Sequence, residues 1–156
     1  MIRLLVILAL NFGALYIGAL FMGGSPADNI WYQSLNKAPW TPPGWVFGAA
    51  WTTIMVCYAF YVHHVLSQGE SRQRNLVIGS YVIQLFLNVV WNPLFFNWEL
   101  PWIALIFLFS LFLLVGWQLF RLSTKNAYQK FLIMPYLLWL MIALSLNLFV
   151  VLNNPV

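Results

Sequence analysis

Charged side chains are scarce in this sequence. They make up 6% of its 156 residues, with seven Lys and Arg and only three Asp and Glu, whereas hydrophobic residues reach 63%. The mean hydropathy is +0.83. A water-soluble domain carries about a quarter charged residues. This chain cannot cover its surface with polar groups, which excludes a soluble globular domain and makes the lipid bilayer its solvent.

Cysteine is nearly absent as well. Cys57 is the single one and lies in an apolar run, so the chain can form no internal disulfide and no Cys-based metal site. His63 and His64 are adjacent, and neighbours on a helix point ~100° apart, so they cannot ligate one metal together. The Lys and Arg residues are not clustered on one amphipathic segment. We therefore predict no metal, no obligatory cofactor and no nucleic-acid partner.

Five apolar runs are long enough to cross a bilayer. They lie at 4–22, 45–66, 76–96, 102–120 and 131–152. Each is close to the ~20 residues that span ~30 Å of hydrocarbon. Arg3 ahead of the first run would also suit a signal peptide, but the run is longer than a usual signal core and no clear Ala-x-Ala site follows. The sequence predicts an all-α integral membrane protein, a five-helix transmembrane bundle that forms one domain over residues 1–156.

None of the five runs has Asp, Glu, Lys or Arg deep inside it. Proton relays and ion pathways usually need intramembrane charge, so a pump or ion-coupled transporter is not predicted. Many transporters are built from paired repeats, which an odd number of spans without a visible repeat does not support. The sequence also shows no catalytic acid, base or nucleophile pair.

The basic residues predict the orientation of the bundle. Six of them fall on the side of the N-terminus, and one falls on the other side. The six are Arg3, Arg72, Arg74, Arg121, Lys125 and Lys130, and the one is Lys37. The positive-inside rule places the richer side in the cytoplasm. The first loop and the C-terminus are then predicted to face the periplasm or another extracytoplasmic space.

The first extramembrane loop, residues 25–44, is predicted to be a lid. The stretch that begins at Trp31 is predicted to be the longest non-helical piece of the chain, because Pro39, Pro42 and Pro43 remove backbone donors and fix φ. The loop also carries aromatic side chains that are costly to leave in water, namely Trp31, Tyr32, Trp40 and Trp45. We expect such a loop to fold back onto an apolar surface.

Amide and aromatic side chains form stripes along three predicted helices. Each stripe repeats at helical spacing and so shares one face. The members are Gln84, Asn88, Trp91 and Asn92 in the third helix, Trp139, Ala143 and Asn147 in the fifth, and Trp51, Met55 and Tyr58 in the second. A single amide in a membrane helix usually joins two helices, and a single Trp near a span end usually lies at the interface. Together the stripes favour an inward cavity for a flat, mostly apolar ligand.

Three groups of motifs match a known family. The first is Trp31-Tyr32-x-x-Leu35-x-Lys37, followed by Trp40-x-Pro42-Pro43 and Trp51. The second is Gln84-Leu85-x-x-Asn88-x-x-Trp91 with Phe95-Phe96. The third is Pro135-Tyr136-x-x-Trp139-x-x-x-Ala143-x-x-Leu146-Asn147. By these motifs, over nearly its whole length, the chain resembles the tryptophan-rich sensory protein / translocator protein family, also called the peripheral benzodiazepine receptor family.

The resemblance implies a five-helix bundle, often a homodimer, with a ligand cavity closed by the first loop. Ligands of the family are porphyrins such as protoporphyrin IX, isoquinoline carboxamides and benzodiazepines. The resemblance implies that Trp51 and Trp139 are cavity walls, that Tyr32 and Pro42 belong to the lid, and that Ala143 leaves room for the ligand. With the stripes, the predicted ligand-binding residues are Tyr32, Trp40, Pro42, Trp51, Gln84, Asn88, Trp91, Trp139, Ala143 and Asn147.

Three functions are compatible with these features. The first is a membrane receptor or sensor that binds porphyrins and related flat apolar molecules and signals their presence or carries them. The second is an enzyme that breaks down porphyrin in light, with cavity Trp side chains as redox partners and the chemistry supplied by the pigment. The third is a structural membrane subunit whose stripes contact a partner protein. The first is the favoured interpretation.

Overall fold

The computed structural model describes residues 1–23, 26–123 and 127–154, and every regular element in these ranges is helical. The helices are α1 (Ile2–Phe21), α2 (Ile30–Ser34), α3 (Gly44–Gln68), α4 (Ser71–Asn92), α5 (Pro101–Trp117) and α6 (Ala127–Asn153). Two π-helical turns, Pro93–Asn97 and Gln118–Leu122, prolong α4 and α5. With these turns, five helical segments of the described chain are long and apolar enough to cross a membrane. The predicted all-α, five-span architecture is confirmed.

The five long helices close into a ring. Helix α1 packs against α3 and α4, α5 packs between α4 and α6, and α6 returns to α3. Lipid tails are as apolar as a leucine-rich core, so burial of apolar surface does little to hold such helices together. Close packing and hydrogen bonds between helices must do so instead. Gly18 shows the close packing, because a Cβ there would lie 2.6 Å from Nδ2 of Asn92.

Buried amides supply the hydrogen bonds. Asn11 of α1 donates from Nδ2 to the Met55 carbonyl at 2.8 Å and accepts from the Tyr81 hydroxyl at 2.7 Å, which joins α1, α3 and α4. Asn11 and Tyr81 lie in the interiors of their helices, where water cannot replace a lost hydrogen-bond partner. In membrane proteins such bonds contribute on average ~0.6 kcal/mol each.

A second amide, Gln118 at the end of α5, joins α5 to α3 and α4. Its Oε1 accepts from the Tyr58 hydroxyl at 2.9 Å, and its Nε2 donates to Ser80 Oγ at 2.8 Å. Gln118 is fully buried at the start of the second π-helical turn. In the same layer Gln84 Nε2 donates to the Tyr136 hydroxyl at 2.7 Å and ties α4 to α6. These amides therefore hold the bundle together.

The basic residues lie at one end of the bundle, as the sequence predicts. Arg3 Nη1 donates to the Leu66 carbonyl at 3.1 Å, so α1 begins where α3 ends. Gln73 Nε2 donates to the Leu122 carbonyl at 2.6 Å, so α4 begins where the second π-helical turn ends. The described basic residues other than Lys37 lie at this end. Lys125 lies outside the described residues.

The structure corrects the prediction that the stretch from Trp31 is non-helical. Residues Ile30–Ser34 form α2, because the Asn29 side chain accepts from the Tyr32 backbone N–H at 2.8 Å and caps the turn. Helix α3 already begins at Gly44, with Pro43 at its N-cap. A proline is tolerated there because the first turn of a helix needs no N–H partner. The non-helical part is limited to residues 35–43.

Candidate functional site

The segment between α1 and α3, residues 26–43 in the described chain and here called the lid, is docked on the bundle through aromatic rings. The Trp31 ring meets Phe95 edge-on with centroids 5.4 Å apart. The Tyr32 ring lies 5.3 Å from that of Phe96. Both phenylalanines belong to the π-helical turn after α4. The first half of the lid thus covers the end of α4, as expected for a loop rich in aromatic residues.

The second half of the lid is anchored to α6. Trp40 Nε1 donates to Ser145 Oγ at 3.1 Å, and the Trp40 ring packs edge-on against Phe149 at 5.4 Å. Asn154 holds the lid backbone from the end of α6. Its Oδ1 accepts from the Asn36 N–H at 2.7 Å, and its Nδ2 donates to the Asn36 carbonyl at 3.1 Å. This reciprocal pair of hydrogen bonds, here called the Asn154 latch, holds the edge of the lid against the end of α6.

A cavity of about 60 Å³ lies beneath the lid. Its walls come from the lid, α3, the end of α4 and α6. They are Tyr32, Lys37, Ala38, Thr41, Phe47, Trp91, Phe95, Phe96, Ala143, Leu146, Asn147 and Val150. Five of the twelve are aromatic. Such a lining suits a flat apolar ligand, which gains from stacking and from a few fixed polar groups.

Asn147 is the buried amide of this cavity, and its position is fixed from both sides. Its Oδ1 accepts from Trp91 Nε1 at 3.2 Å, and its Nδ2 donates to the Pro101 carbonyl at 2.9 Å. Trp91 is in turn stacked on Phe95, with centroids 5.2 Å apart and an interplanar angle of 18°. The amide thus orients one indole as a rigid wall of the cavity.

Lys37 brings a positive charge to the rim. Its Nζ donates to the Tyr32 carbonyl at 2.8 Å and to the Gln33 carbonyl at 3.3 Å, and lies 4.7 Å from the centre of the Tyr32 ring. It therefore closes the C-terminal end of α2, where a cation is favoured. Burial raises the pKa of the Tyr32 phenol above its ordinary value of 10.0.

The structure brings four of the ten predicted site residues to the cavity wall, namely Tyr32, Trp91, Ala143 and Asn147. Two more, Trp40 and Pro42, lie on the lid without lining the cavity. Gln84 and Asn88 are buried in the bundle. Gln84 Nε2 donates to the Tyr136 hydroxyl in the core, and Gln84 is not among the residues that line the cavity.

Trp51 and Trp139 lie below the cavity instead of at its wall. The Trp51 ring meets Tyr136 edge-on at 6.1 Å. The Trp139 ring meets Phe47 edge-on at 5.3 Å, and Phe47 itself lines the cavity. Each Trp is one helical turn further from the lid than a cavity residue, Phe47 for Trp51 and Ala143 for Trp139. One turn is ~5.4 Å along the helix axis, which separates these indoles from the cavity.

Several cavity residues were not among the predicted set. Leu146 and Val150 could have been found, because they follow Ala143 at the i+3 and i+7 positions of the same helix face. Phe47 lies one turn before Trp51 and had the same signal. Lys37 had no periodic signal, because it acts from the non-helical part of the lid. In the described residues no group of three or more His, Cys, Asp or Glu is placed to hold a metal ion.

The fold and the site define a class: small multi-pass membrane proteins with an aromatic cavity beneath a docked extramembrane loop. The sequence profile of the TspO/MBR family matches residues 5–152, and the chain belongs to that family. The chain is 33% identical to a tryptophan-rich sensory protein of Cereibacter sphaeroides, with 86% of this chain and 87% of the relative covered. It is 29% identical to the tryptophan-rich protein TspO of Archaeoglobus fulgidus, with 97% and 94% covered. It is 33% identical to a translocator protein of Bos taurus, with 85% and 78% covered.

Proposed function

We propose that this protein binds porphyrins such as protoporphyrin IX, and similar flat apolar molecules, in the cavity beneath the lid, and acts as a membrane sensor or carrier of them. The observation that carries the proposal is the aromatic cavity covered by a docked lid. Relatives named as a tryptophan-rich sensory protein and a translocator protein support a sensing or carrying role. Flat aromatic walls and one oriented amide are groups that recognise a planar macrocycle.

The size of the cavity requires the protein to open for such a ligand. Its volume is about 60 Å³, whereas ligand sites usually measure roughly 300–1,000 Å³. The described conformation is therefore a closed one. Two changes would enlarge the cavity: release of the lid from α6, and rotation of Phe47, which lines the cavity from α3. The free energy of opening lowers the apparent affinity, because only the open fraction of the protein accepts the ligand.

Tryptophan fluorescence tests the proposal directly. Purified protein in detergent micelles is titrated with protoporphyrin IX in the dark, and N-acetyltryptophanamide in the same micelles corrects for absorption by the pigment. We expect saturable quenching at one porphyrin per chain, because Trp91 borders the cavity. Quenching that rises without saturation, or equals that of the free indole, would reject porphyrin binding and favour the structural-subunit function.

The Asn154 latch gives a prediction about release of the ligand. Asn154→Ala removes two hydrogen bonds between α6 and the lid. Partly exposed bonds of this kind are together worth ~1 kcal/mol, so the rate of protoporphyrin IX release is expected to rise about fivefold. Stopped-flow mixing of the loaded protein with an excess of a soluble apoprotein that takes up the released porphyrin measures this rate. Asn153→Ala is the matched control, since the Asn153 side chain donates to the Phe149 carbonyl of its own helix and, among the described residues, makes no hydrogen bond to the lid. Equal rates for both variants would show that the lid does not limit release.

The separated charges give a prediction about orientation. We propose that the end holding Arg3 and Arg121 lies in the cytoplasm and that the lid and the end of α6 lie outside it. Alkaline phosphatase, active only outside the cytoplasm, is expected to be active when fused after Asn154 and inactive when fused before α1. A green fluorescent protein fusion, which fluoresces only inside, is expected to give the reverse pattern. A C-terminal phosphatase fusion without activity, paired with a fluorescent C-terminal fusion, would contradict the proposal.

A further inference from the structure

A second recess lies at the opposite end of the bundle from the lid. It has a volume of about 360 Å³ and forms where α1 begins, α3 ends and α4 begins. Its lining consists of Arg3, Leu66, Ser71, Arg74, Asn75 and Ile78. Two guanidinium groups, a hydroxyl and an amide thus surround one recess at the end of a membrane bundle. Nothing in the proposed porphyrin-binding function uses them.

The two arginines keep their positive charge available. Arg3 Nη1 donates to the Leu66 carbonyl at 3.1 Å, and Arg74 Nη2 approaches Ser71 Oγ at 3.5 Å. Both partners are neutral, so these contacts do not offset either charge, and each uses one of the five N–H donors of a guanidinium. Of the three acidic residues in the sequence, only Glu70 lies at this end, because Asp28 and Glu99 are in the connections at the lid end.

The backbone N–H groups at the start of α4 lie beside the recess, and the negative charge of Glu70 at the N-cap offsets part of their positive potential. Ser71, Arg74 and Asn75 lie in the first two turns of α4, and the N-cap residue Glu70 makes no side-chain hydrogen bond to the helix. The first backbone N–H groups of a helix have no partner within it, and they favour an anion together with the helix dipole. Here this effect acts beside two guanidinium groups, which alone are a frequent means of binding phosphate.

One side of the recess is apolar and faces the lipid. Ile78 lines it and is 50% exposed, and Val82, one turn further along the same face of α4, is 61% exposed. A polar recess that continues into an exposed apolar strip matches the shape of a phospholipid, whose phosphate adjoins its acyl chains. A soluble phosphate compound would gain nothing from the strip.

We propose that this recess binds the phosphate headgroup of an anionic phospholipid, with Arg3 and Arg74 on the phosphate and an acyl chain along Ile78 and Val82. Basic pockets between membrane helices on the cytoplasmic side are suited to such headgroups, because the anionic lipids of that leaflet are attracted to Lys and Arg. The lipid would then bridge α1 and α4 at the end opposite the lid.

Thermal unfolding of the full chain in detergent micelles tests the proposal. Phosphatidylglycerol is expected to raise Tm saturably, and phosphatidylcholine with the same acyl chains is not. In Arg3→Gln/Arg74→Gln the phosphatidylglycerol concentration that gives half of the maximal rise in Tm is expected to increase about thirtyfold. This factor corresponds to the usual contribution of two basic residues near anionic lipid. In Arg74→Gln alone, which leaves the Arg3 contact to α3 intact, we expect about a fivefold increase.

The matched control is Arg72→Gln/Arg121→Gln, which removes the same charge from the same end but not from the recess. It is expected to keep the phosphatidylglycerol response within about twofold, given that long-range charge effects are screened. An equally weakened phosphatidylglycerol response in the control variant would overturn the proposal, since non-specific electrostatic attraction to this end of the bundle would then explain the effect. Inorganic phosphate alone is expected to leave Tm unchanged. A rise as large as that with phosphatidylglycerol would also overturn the lipid proposal and assign the recess to soluble phosphate.

Discussion

Ala143→Phe is expected to weaken protoporphyrin IX binding at least a hundredfold. Ala143 lines the cavity from α6, across from the lid and Phe47. The cavity measures about 60 Å³, far below the roughly 300–1,000 Å³ of usual ligand sites. A phenyl ring on this wall fills that volume and projects into the enlarged cavity that a macrocycle needs after the lid opens. Fluorescence titration in the dark measures the loss.

The control for Ala143→Phe is Met141→Phe. Met141 lies on the same helix but is 53% exposed toward the lipid, so the same new ring there should leave binding unchanged. Overpacking costs ~1–3 kcal/mol of stability, so Tm of each variant is measured beside the titration. A folded Ala143→Phe protein that binds porphyrin normally would show that the ligand site lies elsewhere.

Ala143→Thr provides a graded step at the same position. Threonine adds two heavy atoms, a methyl carbon and a hydroxyl oxygen, and the hydroxyl can bond to a carbonyl of the preceding turn. We expect about a tenfold loss of affinity with the five-helix fold intact, smaller than the loss for phenylalanine. The order alanine, threonine, phenylalanine thus relates affinity to the volume left in the cavity. An order that does not follow volume would argue for a tilt of α6 as the cause.

The five spans could be predicted from composition because the bilayer imposes one length on each helix. Helix α2 could not, although Asn29 is a good N-cap residue. A helix of five residues is not stable by itself. It forms because Asn29 Nδ2 also donates to the Phe96 carbonyl at 3.0 Å and because Tyr32 packs on Phe96. Such long-range contacts cannot be read from local sequence.

The stripes predicted which helix faces turn inward, but not what each face meets. Asn147 and Ala143 line the cavity, whereas Gln84, also on an inward face, contacts Tyr136 in the core. The difference depends on the level of each residue along the bundle and on which helix lies opposite. Periodicity gives the angle of a side chain around its helix and leaves both of these open. The structure places Trp51 and Trp139 one turn further from the lid than the cavity residues Phe47 and Ala143, and periodicity leaves that position along the bundle undetermined.

The indole of Trp91 carries the second prediction with a large effect. Among the described residues that line the cavity it is the one Trp, and it is held by Asn147 and Phe95. Trp91→Ala removes a large rigid wall and leaves Asn147 Oδ1 without its donor. Loss of a central aromatic anchor costs ~3 kcal/mol, which corresponds to about a hundredfold in affinity. Isothermal titration of the variants with protoporphyrin IX in the dark measures it.

Trp91→Phe separates binding from photochemistry. Phenylalanine keeps an apolar ring beside Phe95 but removes the N–H and the easily oxidised indole. Its effect on affinity is expected to be tenfold at most, because stacking contributes ~0.5–1.5 kcal/mol per aromatic contact and part of it remains. Trp51→Phe and Trp139→Phe are matched controls that change indoles one turn below the cavity. They are expected to change affinity less than Trp91→Phe does.

Light then decides between a sensor and a light-dependent enzyme. If the protein binds and senses, illumination should bleach bound porphyrin at the rate seen for free pigment in micelles, and Trp91→Phe should not alter that rate. If the indole takes part in photochemistry, Trp91→Phe should bind the pigment yet lose a fast conversion that the unaltered protein shows. We expect the first result, because Trp91 is fixed by Asn147 and Phe95 as a wall and the porphyrin absorbs light with or without it. Absorbance of the bound pigment under timed illumination distinguishes the sensor from the enzyme, with Trp51→Phe and Trp139→Phe measured as controls. A fast conversion of the pigment that is lost in Trp91→Phe and kept in both controls would establish the enzyme.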